Sequence, residues 1–98
     1  MSKVIAGAVE ALNAKMSGFD GVARFVIEGE GAIMLDAGGA RAADAAANEP
    51  ADVTMTASRE TFEGILDGSV NPTMAFMSGK LKVDGDMGAA MRLGAALS

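Results

Sequence analysis

The chain has 98 residues, half of them apolar, a net charge of −5, and no cysteine, histidine, tryptophan or tyrosine. That length makes one domain, residues 1–98, with a core just large enough to fold unaided, and the apolar runs are too short to span a bilayer. Without histidine, acid–base chemistry near neutral pH would fall to a tuned carboxylate or lysine, a serine nucleophile would lack an imidazole, and a metal would need an all-oxygen site. The expectation is a protein that is not an enzyme, with no catalytic residues, no metal and no cofactor.

Met1 to Val9 carries one lysine before a short apolar patch, but Glu10, Asn13 and Lys15 follow at helical spacing, which reads as an amphipathic helix and not as a signal peptide. Ser2 can cap that helix, whose Val4, Ile5, Ala8, Val9, Leu12 and Met16 fall on one face. Gly18, Asp20 and Gly21 break it. Val22 to Glu28 and Ala32 to Asp36 are two strand-like runs joined by Glu28-Gly29-Glu30-Gly31, the pattern of an antiparallel hairpin. Gly38-Gly39 makes another turn. Ala40 to Asn48 has strong helix propensity by composition, although alanines there would also make a poor strand. After Pro50, Val53, Met55 and Ala57 alternate with Asp52, Thr54 and Thr56, which predicts a half-buried strand.

Ser58 caps a second helix with Glu60 in its first turn and Phe62, Ile65 and Leu66 as its apolar ridge, closed by Gly68. Asn71-Pro72 starts a third helix, because Asn caps and Pro at the first helical position loses no bond it needed. Gly79 ends it. Lys80-Leu81-Lys82-Val83-Asp84 alternates charged and apolar residues as a strand with one wet face does. Gly85-Asp86 then turns the chain into a last helix, expected to carry Met87, Ala90, Met91, Gly94 and Leu97 on one stripe. The order α-β-β-β-β-α-α-β-α predicts a sheet of about five strands with helices on one face. Because strand 80–84 follows two helices, it is placed to pair parallel to an earlier strand, which would make the sheet mixed.

The run Ala75-Phe76-Met77-Ser78-Gly79-Lys80-Leu81-Lys82-Val83-Asp84-Gly85-Asp86-Met87-Gly88 resembles the best-marked stretch of the sterol carrier protein-2 family. The resemblance extends upstream through Asp52-Val53-Thr54-Met55-Thr56, the helix at Ser58 to Asp67 and the Gly68-x-x-x-Pro72 turn, covering roughly residues 20 to 97. It implies a small α+β domain: a mixed, mostly antiparallel sheet of about five strands, covered on one face by helices and enclosing an apolar cavity for lipids. It also implies that the alanine-rich segment opens as the third strand of the meander, an edge strand near residues 40 to 44. The chain departs from better-known relatives in its short length, its alanine-rich middle and its ending Ala-Ala-Leu-Ser, which lacks a peroxisomal Ser-Lys-Leu-type tail. That ending removes the reason to expect a peroxisome, and the compartment expected by default is the cytoplasm.

Two apparent motifs fail. Gly79-Lys80 is no phosphate loop, since Met74 stands where the first glycine belongs and Leu81 where Ser or Thr is required. Asp84-Gly85-Asp86-Met87-Gly88 is no calcium loop, because Gly88 and Ala95 occupy positions that need oxygen ligands; a strand-to-helix turn with an aspartate cap explains it. Lys80 and Lys82, opposite Leu81 and Val83, fit a charged edge strand. Residues 28 to 67 hold nine acids and two arginines, a net −7, which argues against wrapping nucleic acid and against tight docking on anionic membranes.

Methionines are flexible and polarizable and suit surfaces that accept varied apolar shapes. Together with the resemblance, this makes Met55, Phe62, Leu66, Met74, Phe76, Met77, Leu81, Met87 and Met91 the expected ligand-binding residues. The function expected is non-catalytic binding and transfer of an apolar lipid: a fatty acid, fatty acyl-CoA, sterol-like or isoprenoid molecule. The alternative is an accessory or scaffold protein that presents an isoprenoid-quinone intermediate, or an apolar groove, to a partner enzyme. Either role leaves at most transient membrane contact, and room for a homodimer.

Overall fold

A computed structural model of the chain describes residues 3–15, 18–43 and 50–97. Helix α1 (Lys3–Lys15) buries Ile5, Ala8 and Leu12, three positions on one helical face, with Val4 and Val9 packed partly at its flanks. The expected cap Ser2 and the expected core residue Met16 lie outside the described residues. Strands β1 (Ala23–Ile27) and β2 (Gly31–Asp36) form the anticipated antiparallel hairpin. Strand β3 (Gly39–Ala43) follows antiparallel to β2, as an edge strand in spite of its helix-favouring composition. Its backbone is held from outside the sheet: the Asn13 amide donates to the Ala40 carbonyl at 3.1 Å and accepts from the Ala40 N–H at 2.9 Å. A side chain on α1 thus supplies the pairing that a strand with small side chains secures weakly by packing.

Strand β4 (Val53–Ala57) runs parallel to β1, and β5 (Leu81–Gly85) runs antiparallel to β4, giving the order β3-β2-β1-β4-β5. The sheet is mixed, but the parallel pair is β1 with β4 and not one involving the last strand, a correction to the expectation. The crossover that returns the chain in a parallel sense lies between β3 and β4, which sit on opposite sides of the β1–β2 pair. Asp52 fixes that arrival. Its carboxylate accepts from Val22 N–H at 2.9 Å, its own N–H donates to Val22 O at 2.8 Å, and its carbonyl accepts from Asp86 N–H at 2.8 Å.

Helix α2 (Arg59–Asp67) is capped by the Ser58 hydroxyl, which accepts from Thr61 N–H at 3.2 Å. Helix α3 (Pro72–Met77) is capped by Asn71, whose side-chain oxygen accepts from Thr73 and Met74 N–H. Helix α4 (Met87–Leu97) is capped by Asp86, which accepts from Gly88 and Ala89 N–H. The core lies on one face of the sheet, where Phe25, Ile33, Leu35, Val53, Met55 and Leu81 meet the buried faces of the helices. On the opposite face Met34 is also buried, and the register sets Arg24 and Arg41 on either side of it.

Helix α4 buries Ala89, Ala90, Leu93 and Leu97. The expected stripe was rotated: Met87 and Met91 lie on the outer side, and only Ala90 and Leu97 of the stripe are buried. Every residue of Met87-Gly88-Ala89-Ala90-Met91-Arg92-Leu93 except Arg92 is apolar or glycine, so hydrophobic spacing leaves the inward face undetermined. Arg92 marks a boundary, its guanidinium 5.9 Å from the centre of the Phe19 ring.

Candidate functional site

The residues expected to bind ligand fall into three places. Met55 and Leu81 belong to the core at 4 % exposure each, on the sheet face that the helices cover. Phe62 is buried and Leu66 half-buried on α2, and both line a cleft. Met74, Phe76 and Met77 on α3, with Met87 and Met91 on α4, are the exposed large apolar side chains among the described residues; Met77 and Met91 are three-quarters exposed. These last residues lie on two helices, α3 and α4, that touch each other. A methyl group built on Gly94 would lie 3.9 Å from the Pro72 side chain, so the Met87–Met91–Gly94 side of α4 runs beside α3. The geometry therefore separates the expected cluster into a core part, a cleft part and an outer methionine face.

The cleft lies between α1 and α2, open on one side, with a volume of about 470 Å³. Lys3, Val4, Gly7 and Ala8 form its α1 wall, and Phe62 and Leu66 form the apolar part of its α2 wall. Arg59, Glu63 and Asp67 make the charged rim on the α2 side. The Arg59 Nε donates to the Glu63 carboxylate at 2.9 Å, and that hydrogen bond, reinforced by the charge of Glu63, holds the guanidinium above its ordinary range. Hydrogen bonds from the Ser69 side chain and backbone hold the Asp67 carboxyl below its ordinary range. A lowered carboxyl contributes stability above its unfolded-state pKa and loses it as pH falls through the folded value, so this tie at the end of α2 weakens only in acid.

Sequence reasoning found Phe62 and Leu66 but missed the α1 wall. The pairs Val4/Ala8 and Phe62/Leu66 each read as the inner face of a helix, and no local pattern shows that the two helices lie side by side. Gly7 was a usable signal, being a glycine inside a helix with no capping role. Among the described residues no group of three acidic side chains is arranged to hold a metal ion, and no polar or charged residue is buried. None of the described helices is long and apolar enough to cross a membrane.

A five-stranded mixed sheet with one helical layer, a cleft between α1 and α2 and exposed methionines on α3 and α4 make up a small α+β domain. The model of the SCP-2 sterol transfer family matches residues 3–98, and the chain belongs to that family. It is 42 % identical over 78 residues to hydroxysteroid dehydrogenase-like protein 2 of Xenopus tropicalis, covering 74 % of this chain and 18 % of that protein. It is 39 % identical over 69 residues to peroxisomal multifunctional enzyme A of Dictyostelium discoideum, covering 70 % of this chain and 14 % of that enzyme. The chain thus spans less than a fifth of the length of these curated relatives. Among solved structures it resembles sterol carrier protein 2 like 2 of Aedes aegypti, with a TM-score of 0.76, 20 % identity and 94 % of each chain covered. A palmitated form of that Aedes protein matches with a TM-score of 0.67, 19 % identity, and 99 % of this chain and 95 % of that one covered. The ubiquinone synthesis protein UbiJ-SCP2 matches with a TM-score of 0.66, 19 % identity, and coverage of 99 % and 93 %. At these identities the structural likeness establishes the fold.

Proposed function

We propose that the chain is a non-catalytic carrier that binds and transfers an apolar lipid: a fatty acid, fatty acyl-CoA, sterol-like or isoprenoid molecule. The observation that carries this reading is the exposure of five large apolar side chains on α3 and α4 in a chain of the SCP-2 family. Leaving such side chains in water forgoes burial energy, and several exposed large apolar side chains on two touching helices favour a binding surface. Ligand contact is assigned to Phe62 and Leu66 in the cleft, to Met74, Phe76, Met77, Met87 and Met91 on the surface, and to Met55 and Leu81 beneath the helical layer. The affinity needs no special chemistry. Burial of a 16-carbon chain is worth roughly 12 kcal/mol gross at about 0.8 kcal/mol per methylene, from which association and chain ordering remove a large part. The proposal places the carrier in the cytoplasm. A palmitated relative fits a fatty-acyl ligand.

Native mass spectrometry of the purified protein, followed by solvent extraction, tests the reading. The expected result is a stoichiometric apolar molecule that is lost on Met77→Asp or Met91→Asp. Both positions are largely exposed, so these variants should keep their stability to within about 0.5 kcal/mol. A protein that arrives empty and refuses fatty acids, acyl-CoA and isoprenoid quinones would sink the proposal.

The outward direction of Met87 and Met91 also favours a second reading, in which the apolar face seats a partner enzyme or presents an isoprenoid-quinone intermediate to it. The fold match to a ubiquinone synthesis protein is compatible with this. Under that reading Met91→Asp abolishes partner binding while lipid content stays unchanged.

A further inference from the structure

The two edges of the sheet differ. On the free side of β3 the Asn13 amide closes both backbone hydrogen bonds of Ala40. Strand β5, the other edge, has no such tie among the described residues. The Asp86 N–H donates to the Asp52 carbonyl, and bonded pairs alternate along an antiparallel ladder, so Asp84 with Thr54 and Lys82 with Thr56 are the bonded pairs of β4 and β5. The N–H and C=O groups of Leu81 and Val83 therefore point away from β4, and among the described residues no other hydrogen bond engages them. A row of open backbone groups templates pairing with another chain, and natural sheets blunt such an edge with like charges, a proline or a bulge. On β5 the charges change sign instead. Lys80, Lys82, Asp84 and Asp86 are all exposed, and they stand with opposite sign at equal distances on either side of Val83.

We propose that β5 is a self-pairing edge, on which a second copy of this chain docks antiparallel with Val83 opposite Val83 and joins the two sheets into one. In that register Lys82 faces Asp84 of the second copy and Asp84 faces its Lys82, while Lys80 and Asp86 repeat the match just beyond the strand ends. The two Val83 residues exchange both backbone bonds. Each Lys82–Asp84 pair then falls at a non-hydrogen-bonded position, where side chains stand closest, with Cα atoms about 4.5 Å apart. Sliding the register by two residues sets Lys82 against Lys82 or Asp84 against Asp84, and in-register parallel pairing sets like against like throughout. The charges thus select one register and one partner: only the chain's own inverted pattern meets every charge with its opposite. The two-fold axis stands perpendicular to the sheet, so both helical layers lie on one side, and the α3 helices, each packed on its own β5, flank the seam. The pairing does not depend on any bound lipid.

The test is sedimentation velocity of the full chain from about 10 µM to about 1 mM, with amide exchange read at both ends of the range. The expected result is a monomer–dimer equilibrium in which exchange at the Leu81 and Val83 N–H groups slows as the dimer fills. Lys82→Asp and Asp84→Lys change exposed positions, and each alone sets like charges opposite one another twice, which should weaken dimerisation about tenfold or more. An equimolar mixture of the two variants, and the double variant Lys82→Asp/Asp84→Lys, restore opposite pairing and should return to within about threefold of wild type. Failure of both to recover would show that the reversals act on the strand itself and overturns the proposal. A chain that stays monomeric across the range also overturns it. So does a dimer indifferent to both reversals, which would lie on another face; its loss on Met91→Asp would place it on the methionine-bearing helices.

Discussion

Phe62→Ala is expected to cost about 3–5 kcal/mol of stability and to lower the melting temperature by roughly 12 °C or more. Phe62 is 3 % exposed, and its ring centre lies 5.4 Å from that of Phe25 at an interplanar angle of 51°. Phe25 in turn pairs in register with Ile33 on β2 and Met55 on β4, so the two rings join α2 to the centre of the sheet. Besides Phe62, the helix buries only Ile65 and Gly64, which leaves it a single large anchor after the substitution. Leu66→Ala, at a half-buried position on the cleft, should cost only about 1–2 kcal/mol. Urea unfolding with an unchanged m-value distinguishes the two. Equal costs would show that α2 is not held through the Phe25–Phe62 contact.

This contrast also locates what was legible in the chain. Element order was readable because caps and breakers are local: Ser58, Asn71 and Asp86 each accept the N–H groups of the turn they begin. Strand faces were readable because Val53, Met55 and Ala57 alternate with threonines and the burial alternates with them. Relations between distant segments were not readable. The parallel pairing of β1 with β4 depends on where the chain crosses back, and Asp52 gives no local sign that its carboxylate will close on Val22. Likewise the cleft requires two helices separated by more than forty residues to lie side by side.

The methionines show the same limit at the level of the site. Hydrophobic spacing treats Met91 and Leu93 alike, although one is three-quarters exposed and the other fully buried. What separates them is that small Ala89 and Ala90 let α4 approach the sheet, so the helix settles on its alanine side and turns Met87 and Met91 outward. A residue type that suits binding was identified correctly as a class, while its direction was set by its neighbours' size. Burial of Met34 and Met55 shows that the same side chain also serves as ordinary packing.

Gly85→Ala should be among the most damaging single-methyl additions, costing about 3 kcal/mol or more through a disfavoured φ and steric overlap together. Gly85 has φ +104°, and a Cβ there would collide with the carbonyl oxygen of Asp52. That oxygen already accepts the Asp86 N–H at 2.8 Å, the bond that fixes where β5 ends and α4 begins. Relieving the collision would lift the end of β5 from Val53, its register partner, and carry the Asp86 cap with it. Helix α4 would then lose its fixed start, and with it the placement of Leu93 and Leu97 in the core. Gly79→Ala is the control, because Gly79 has φ +81° but nothing within 4 Å of its Cβ position. It should lose only the conformational part, about 1–2 kcal/mol. If thermal unfolding gives both variants the same loss, the Asp52 contact contributes nothing. A larger loss at Gly85, accompanied by faster amide exchange in α4, would show that this glycine holds the last helix to the sheet.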